Sequence, residues 1–380
     1  MRKRFAMLLA LVAITASSTV WADQARVKPE DGPRVQIAIL LDTSNSMDGL
    51  INQAKEQLWK IVNEFTLAKQ KGKRPIIEVA LYEYGNVSLP AAEGHIRLVL
   101  PLTNDLDKVS EKLFELRTNG GSEYCGQVIG HAVKNLTWSK RKNDLKVILI
   151  AGNEPFSQGT VDYRKTCKEA ATQGIIVNTI HCGDRAVGIE QEWEKGALLA
   201  DGSYSNIDQN KAIDHIVAPQ DDDIARLGVE MNATYLPFGS GGGTGAARQA
   251  AQDSNASTMS KASLVNRSIY KSRKNYSNSG WDLVDAVEEN RLDLAKAKAE
   301  ELPKEMQKMS VTERKEFVKA KKAEREKIRK KIAQLNKERQ EYIDKARKEK
   351  AKKSGAETFD SAILKSMRKQ AESNNFSFED

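Results

Sequence analysis

The run Val35-Gln36-Ile37-Ala38-Ile39-Leu40-Leu41-Asp42-Thr43-Ser44-Asn45-Ser46-Met47 decides how this chain is read. Val35 to Leu41 is apolar almost throughout, which marks a strand with both faces covered, as in a parallel sheet flanked by helices. Its end delivers Asp42-x-Ser44-x-Ser46 to the carboxyl edge of the sheet, where open α/β sheets hold their ligands. A carboxylate and two hydroxyls at alternate positions of a tight turn offer hard oxygen donors to one cation: Mg²⁺ first, with Mn²⁺ or Ca²⁺ as alternatives. With fewer carboxylates than a tight calcium cage, such an ion keeps room for an acidic group from a partner. The competing reading is a helix N-cap, in which Asp42 and the serines satisfy free N–H groups of the helix that follows.

Outward from this run, strands are expected at Ile77 to Tyr84, Ile96 to Leu100, Lys146 to Ala151, Ile175 to His181 and Gly202 to Ile207. Between them lie amphipathic helices such as Leu50 to Phe65, apolar at Leu58, Ile61, Val62 and Phe65. The alternation predicts a doubly wound α/β domain over residues 34–234, with a mostly parallel six-stranded sheet. Residues 235–280, glycine-dense at first and then rich in Ala, Ser, Gln and Asn, read as a flexible linker. Residues 281–353 read as a charged helical region, with one long helix from Val311 to Lys353. Ile328, Ile332, Leu335, Arg339, Tyr342 and Ala346 step along it as a thin heptad seam, which predicts a coiled coil. Residues 354–380 form a polar tail.

Of 380 residues with a formal net charge of +8, residues 304–353 carry 20 Lys or Arg against 9 Asp or Glu, a net of +11. The basicity therefore belongs to the helix and not to the α/β domain. Only Phe317 and Tyr342 are aromatic there, so base stacking is unsupported and nucleic acid is not an expected partner. Such a helix stands solvated, self-associates, or touches an anionic envelope surface. At the other end, Arg2-Lys3-Arg4, the apolar run Phe5 to Ile14 and Val20-Trp21-Ala22 read as a secretory signal over residues 1–22, so the chain is expected in the periplasm or cell envelope. There Cys125, Cys167 and Cys182 can form one disulfide with one thiol left over. Their spacing matches no zinc site, and His95, His131, His181 and His215 are scattered. No Gly-Lys-Ser/Thr follows the glycine-rich loop at 118–122, which argues against a nucleotide.

Asp42-x-Ser44-x-Ser46 after an apolar strand resembles the metal-ion-dependent adhesion site (MIDAS) of von Willebrand factor A domains. Three further matches extend the likeness over residues 34–234. Thr118-Asn119-Gly120-Gly121-Ser122 is similar to the family's second loop, whose threonine reaches the ion. Lys146 to Pro155 is similar to its fourth strand, and Leu199 to Asp208 to its closing segment. The resemblance implies that Asp42, Ser44, Ser46 and Thr118 hold a divalent ion whose coordination a partner protein's acidic residue completes, in a binding module that is not an enzyme. It departs at Ala151-Gly152-Asn153-Glu154-Pro155, where the family has Thr-Asp-Gly. The third-loop aspartate falls on Gly152, leaving Asn153 or Glu154 to supply an oxygen. In this topology the three cysteines lie toward one end of the sheet, so a pair of them is expected to brace the loops. Two other functions stay open: a metal-free assembly protein acting through its C-terminal helix, and a metal-assisted hydrolase with Glu154 or Glu123 as base.

Overall fold

A strand without a solvent side is apolar almost throughout, and β1 (Arg34–Asp42) is buried from Val35 onward, its one polar residue between Val35 and Asp42, Gln36, being hydrogen-bonded to Glu78 and Ser139. The computed structural model describes residues 32–45, 47–207, 215–354 and 359–378, so the expected signal at residues 1–22 lies outside the described residues. Around β1 assemble β2 (Ile76–Tyr84), β3 (Ile96–Thr103), β4 (Leu145–Gly152), β5 (Ile176–Cys182) and β6 (Tyr204–Ile207). The sheet order is β3-β2-β1-β4-β5-β6, parallel except for β3, which runs antiparallel to β2. Chain order reverses at β1, which creates a crevice beyond its carboxyl end. Register sets Asp42 beside Tyr84, Leu41 beside Ala151, and Gly152 beside His181 along that edge.

One face of the sheet is covered by α1 (Asp48–Thr66) and α2 (Leu106–Glu115). The other is covered by α3 (Cys125–Asn135), α4 (Tyr163–Thr172) and α6 (Trp193–Leu198), with α5 (Arg185–Glu190) leading into α6. α7 (Asp221–Glu230) returns to the α1 face. Trp193 and Trp59, each almost wholly buried, anchor the two layers.

Residues 235–280 correct the linker reading. They form α8 (Gly242–Met259) and α9 (Lys261–Ser272), which pack on α2 and α1 as a third layer. Tyr270 stacks on Trp59 with ring centroids 5.3 Å apart. Arg267 is fully buried between Asp107 of α2 and Asp253 of α8, and Tyr276 donates to Asp107 at 2.7 Å. Glycine here serves close approach and not flexibility: a Cβ at Gly245 would overlap the Trp281 ring.

The chain then runs through α10 (Leu283–Glu288) into α11 (Val311–Ser354), 44 residues long. The heptad seam is present but faces this same chain: Val318, Arg325, Ile328, Ile332, Leu335 and Arg339 are buried, and α11 packs on α7, α9 and α10. Ile343 and not the exposed Tyr342 continues it. Arg339 sits in the seam because it bonds Asp221 at 2.6 Å. The coiled-coil expectation is thus corrected to an intrachain helix interface. The polar-tail expectation changes too: α12 (Phe359–Ser373) contacts α1 and β6, Met367, Ala371 and Phe376 are buried, and Ser377–Phe378 pairs antiparallel with Ala68–Lys69. No helix among the described residues is long and apolar enough to cross a membrane.

Candidate metal centre

Asp42 closes β1 at the crevice and is wholly buried. Its Oδ1 accepts from the backbone N–H of Ser44 at 2.7 Å, which folds the chain into a tight turn directly after the strand. Its Oδ2 is buried and receives no hydrogen bond from any donor among the described residues. The N-cap reading is not realised by Asp42 or Ser44: Met47 holds the cap position of α1, and no side chain caps it. Ser46 lies outside the described residues.

The loop ahead of α3 is fastened to this turn by three bonds. Asn119 N donates to Thr43 O at 2.9 Å, Gly120 N to Asn45 Oδ1 at 2.7 Å, and the Thr118 hydroxyl to Asp48 Oδ1 at 2.8 Å. Thr118 therefore sits on the same edge as Asp42 with its hydroxyl engaged by the first turn of α1. The same loop carries Glu123 inward, and this glutamate, which sequence reasoning named only as a base, is 3% exposed. It faces Asp42 over Gly85 closely enough to share a hydrogen bond when one of the two is protonated, with the Ser44 hydroxyl within reach of both. Both crowd over Gly85, where a Cβ would stand 2.7 Å from Asp42 Oδ1 and 2.8 Å from Glu123 Cγ. Burial first, then the hydrogen bond and charge of Glu123, hold the Asp42 carboxyl well above the usual carboxylate range. Burial also raises Glu123, aided by the Glu154 charge and opposed by its bonds with Asp42 and Ser44.

The third loop meets this pair through its backbone. Glu154 offers its backbone N–H to Glu123 Oε2 at 3.4 Å, and its carbonyl accepts from Trp193 Nε1 at 2.9 Å. The Asn153 Oδ1 is buried without a partner. Gly152 has no room for a side chain: a Cβ there would lie 2.5 Å from the Tyr84 hydroxyl and 3.3 Å from both Asp42 Cβ and the Trp193 ring. The Tyr84 hydroxyl donates to Ala151 O at 2.9 Å, which fixes it in that space.

The cysteines correct the disulfide expectation, since all three are free, buried thiols. Cys125 and Cys167 belong to the α3/α4 side of the sheet and Cys182 to the α1 side, so the sheet separates Cys182 from the others. Burial pushes Cys167 up to about 12 and the other two well above the usual thiol value. His95, His131 and His215 bond Leu89 O, the Tyr82 hydroxyl and Glu56 respectively, away from Asp42.

Two buried carboxylates and a serine hydroxyl around an unpartnered carboxylate oxygen fit a hard divalent cation. Among the described residues no ion pair involves Asp42 or Glu123. No group of three or more His, Cys, Asp or Glu forms a metal cage there either, so hydroxyls, water or a partner must fill the remaining positions.

Comparison with known families matches residues 36–195 to the von Willebrand factor type A domain. Among solved structures the chain is similar to the conserved hypothetical protein BatB from Bacteroides thetaiotaomicron, at 18% identity and a TM-score of 0.35, covering 46% of this chain and 90% of that one. It is similar to proximal thread matrix protein 1 of the mussel byssus, solved with a zinc-occupied MIDAS motif, at 12% identity and a TM-score of 0.37, covering 47% and 43%. The SpRpn10 VWA domain is a third, at 15% identity and a TM-score of 0.34, covering 46% and 87%. No curated protein matches the chain.

Proposed function

We propose that this chain, whose residues 36–195 are a von Willebrand factor type A domain, is a metal-dependent protein-binding module that performs no catalysis of its own. Asp42, Ser44, Ser46 and Thr118 would hold a divalent ion, Mg²⁺ first, at the carboxyl edge of the sheet. The ion supplies a Lewis-acidic point that an acidic residue of a partner protein completes. The observation that carries this reading is the buried, unpartnered Asp42 Oδ2: leaving a carboxylate oxygen without donor or cation costs several kcal/mol, on the order of 1–3 or more. The secretory pattern at residues 1–22 supports a periplasmic or envelope setting.

α11 keeps its apolar seam against its own domain, which leaves a polar, basic face outward for an envelope surface and little apolar area for self-association. One observation favours the metal-free alternative: Asp42 and Glu123 crowd together over Gly85, so the pair can rest with a proton taken up between them in place of an ion. Calorimetric titration of Mg²⁺, Mn²⁺ and Ca²⁺ into wild type and Asp42→Ala separates the two. Heats that vanish in the variant support the ion site, and equal heats end it.

A further inference from the structure

The family pattern places a carboxylate on the third loop, and this chain has Gly152 there with its space already filled. The Tyr84 hydroxyl, Trp193 and Asp42 itself occupy the volume an aspartate would need. A carboxylate is nevertheless present at the site, and it arrives from the opposite side of the crevice. Glu123 comes in on the loop before α3, buried at 3% exposure, with its backbone N–H held by Gln158 Oε1 at 2.6 Å. Its side chain meets the Ser44 hydroxyl and the backbone N–H of Glu154. The third loop thus helps to orient the carboxylate it does not itself provide.

We propose that Glu123 is the second anionic metal ligand of this site, its carboxylate moved from the third loop to the second, so that Asp42 and Glu123 together neutralise a divalent cation before any partner binds. The inference rests on the reading of Asp42 as an ion ligand. It follows from two independent observations: Glu123 and Asp42 close on the same space over Gly85, with Glu123 held by the Glu154 backbone N–H and Asp42 by that of Ser44, and the buried Asp42 Oδ2 is satisfied by no donor among the described residues. Two consequences distinguish it from a merely structural glutamate. Ion affinity depends on the charge of residue 123, because affinity at hard-cation sites is set largely by ligand charge count. In the absence of metal the same charge is a liability, because two carboxylates are held together without a countercharge.

The test is Mn²⁺ binding followed by the paramagnetic resonance of the free ion, on the full chain at pH 7.5, for wild type, Glu123→Gln, Glu123→Asp and Asp42→Ala. Thermal melts with EDTA and with Mn²⁺ accompany each. Glu123→Gln is expected to weaken Mn²⁺ by about tenfold or more, to melt at or above wild type in EDTA, and to gain less stability than wild type at the same Mn²⁺ concentration. Glu123→Asp keeps the charge at shorter reach and should bind between the two. Binding by Glu123→Gln within twofold of wild type, while Asp42→Ala abolishes it, overturns the role of Glu123 and leaves the site standing. Undiminished binding by Asp42→Ala overturns the underlying reading as well.

Discussion

Arg325 lies in the α11 seam, where a coiled coil would place an apolar residue, and its removal is the sharpest test of how the C-terminal helix is held. Its side chain is 1% exposed and reaches Asp282 Oδ2 at 2.8 Å, Asp285 Oδ1 at 2.7 Å, and the hydroxyl and carbonyl of Thr234 at 3.0 and 2.7 Å. Its guanidinium also stacks 4.0 Å from the Tyr235 ring centroid. Arg325→Ala leaves two buried carboxylates uncompensated, which costs about 3–5 kcal/mol, a large share of the roughly 5–15 kcal/mol of a typical domain. Equilibrium urea unfolding measures the loss, and limited proteolysis reports whether α11 detaches first. The double variant Arg325→Met with Asp285→Asn should recover part of the stability, because an apolar side chain replaces the ion pair and one stranded charge is gone. Arg325→Ala within about 1 kcal/mol of wild type, well under the loss expected for a broken buried pair, would refute the claim that this cluster anchors the helix.

The same cluster gives a pH signature: burial, then the Asp282 charge, push the Asp285 carboxyl up to about 6 against the pull of Arg325. A carboxyl raised above its unfolded value stabilises while protonated, so its contribution is full below about pH 4 and fades as pH rises through 6, by at most ~3 kcal/mol. Asp285→Asn should flatten that slope in denaturation curves taken from pH 4 to 7, and an unchanged slope would contradict it. Ile332→Ala removes a fully buried seam residue and should cost about 2–5 kcal/mol with the light-scattering mass unchanged. A fall from dimer to monomer mass would restore the interchain coiled coil. Gly152→Ala should cost about 1–3 kcal/mol by overpacking against the Tyr84 hydroxyl, and Tyr84→Phe in the same chain should relieve most of it; a strictly additive pair would show the clash is elsewhere. Denatured, unreduced protein should titrate three thiols and the folded protein almost none, and a count of one on denaturation would establish the disulfide.

The sheet was legible because its evidence is local. Strands covered on both faces need unbroken apolar residues, so Ile37 to Leu41 and Val147 to Ala151 announce themselves and even fix where Asp42 emerges. The third layer was illegible for the opposite reason. α8 and α9 are held largely by Arg267 on Asp107, Tyr276 on Asp107 and Lys271 on Asp253, polar contacts whose partners lie elsewhere in the chain, and the short apolar stripe of Val265 and Ile269 on α9 is outweighed by the Gly, Ser, Gln and Asn around it. The heptad of α11 was visible in Ile328, Ile332 and Leu335, yet a seam states only that something apolar covers it. The two arginines along it carried the missing information, since a buried Arg demands a fixed acid, and Asp221, Asp282 and Asp285 belong to this chain. The candidate site divides in the same way: Asp42 and Ser44 are local to one turn and were readable, whereas Glu123 is a lone glutamate in a glycine-rich loop until the fold presses it against Asp42. The signal for it is the departure at Gly152 itself: a loop that lacks its carboxylate beside a buried aspartate points to an acidic residue on a neighbouring loop. A buried aspartate with a free oxygen requires compensation from somewhere, and the compensating group need not keep its place in the chain.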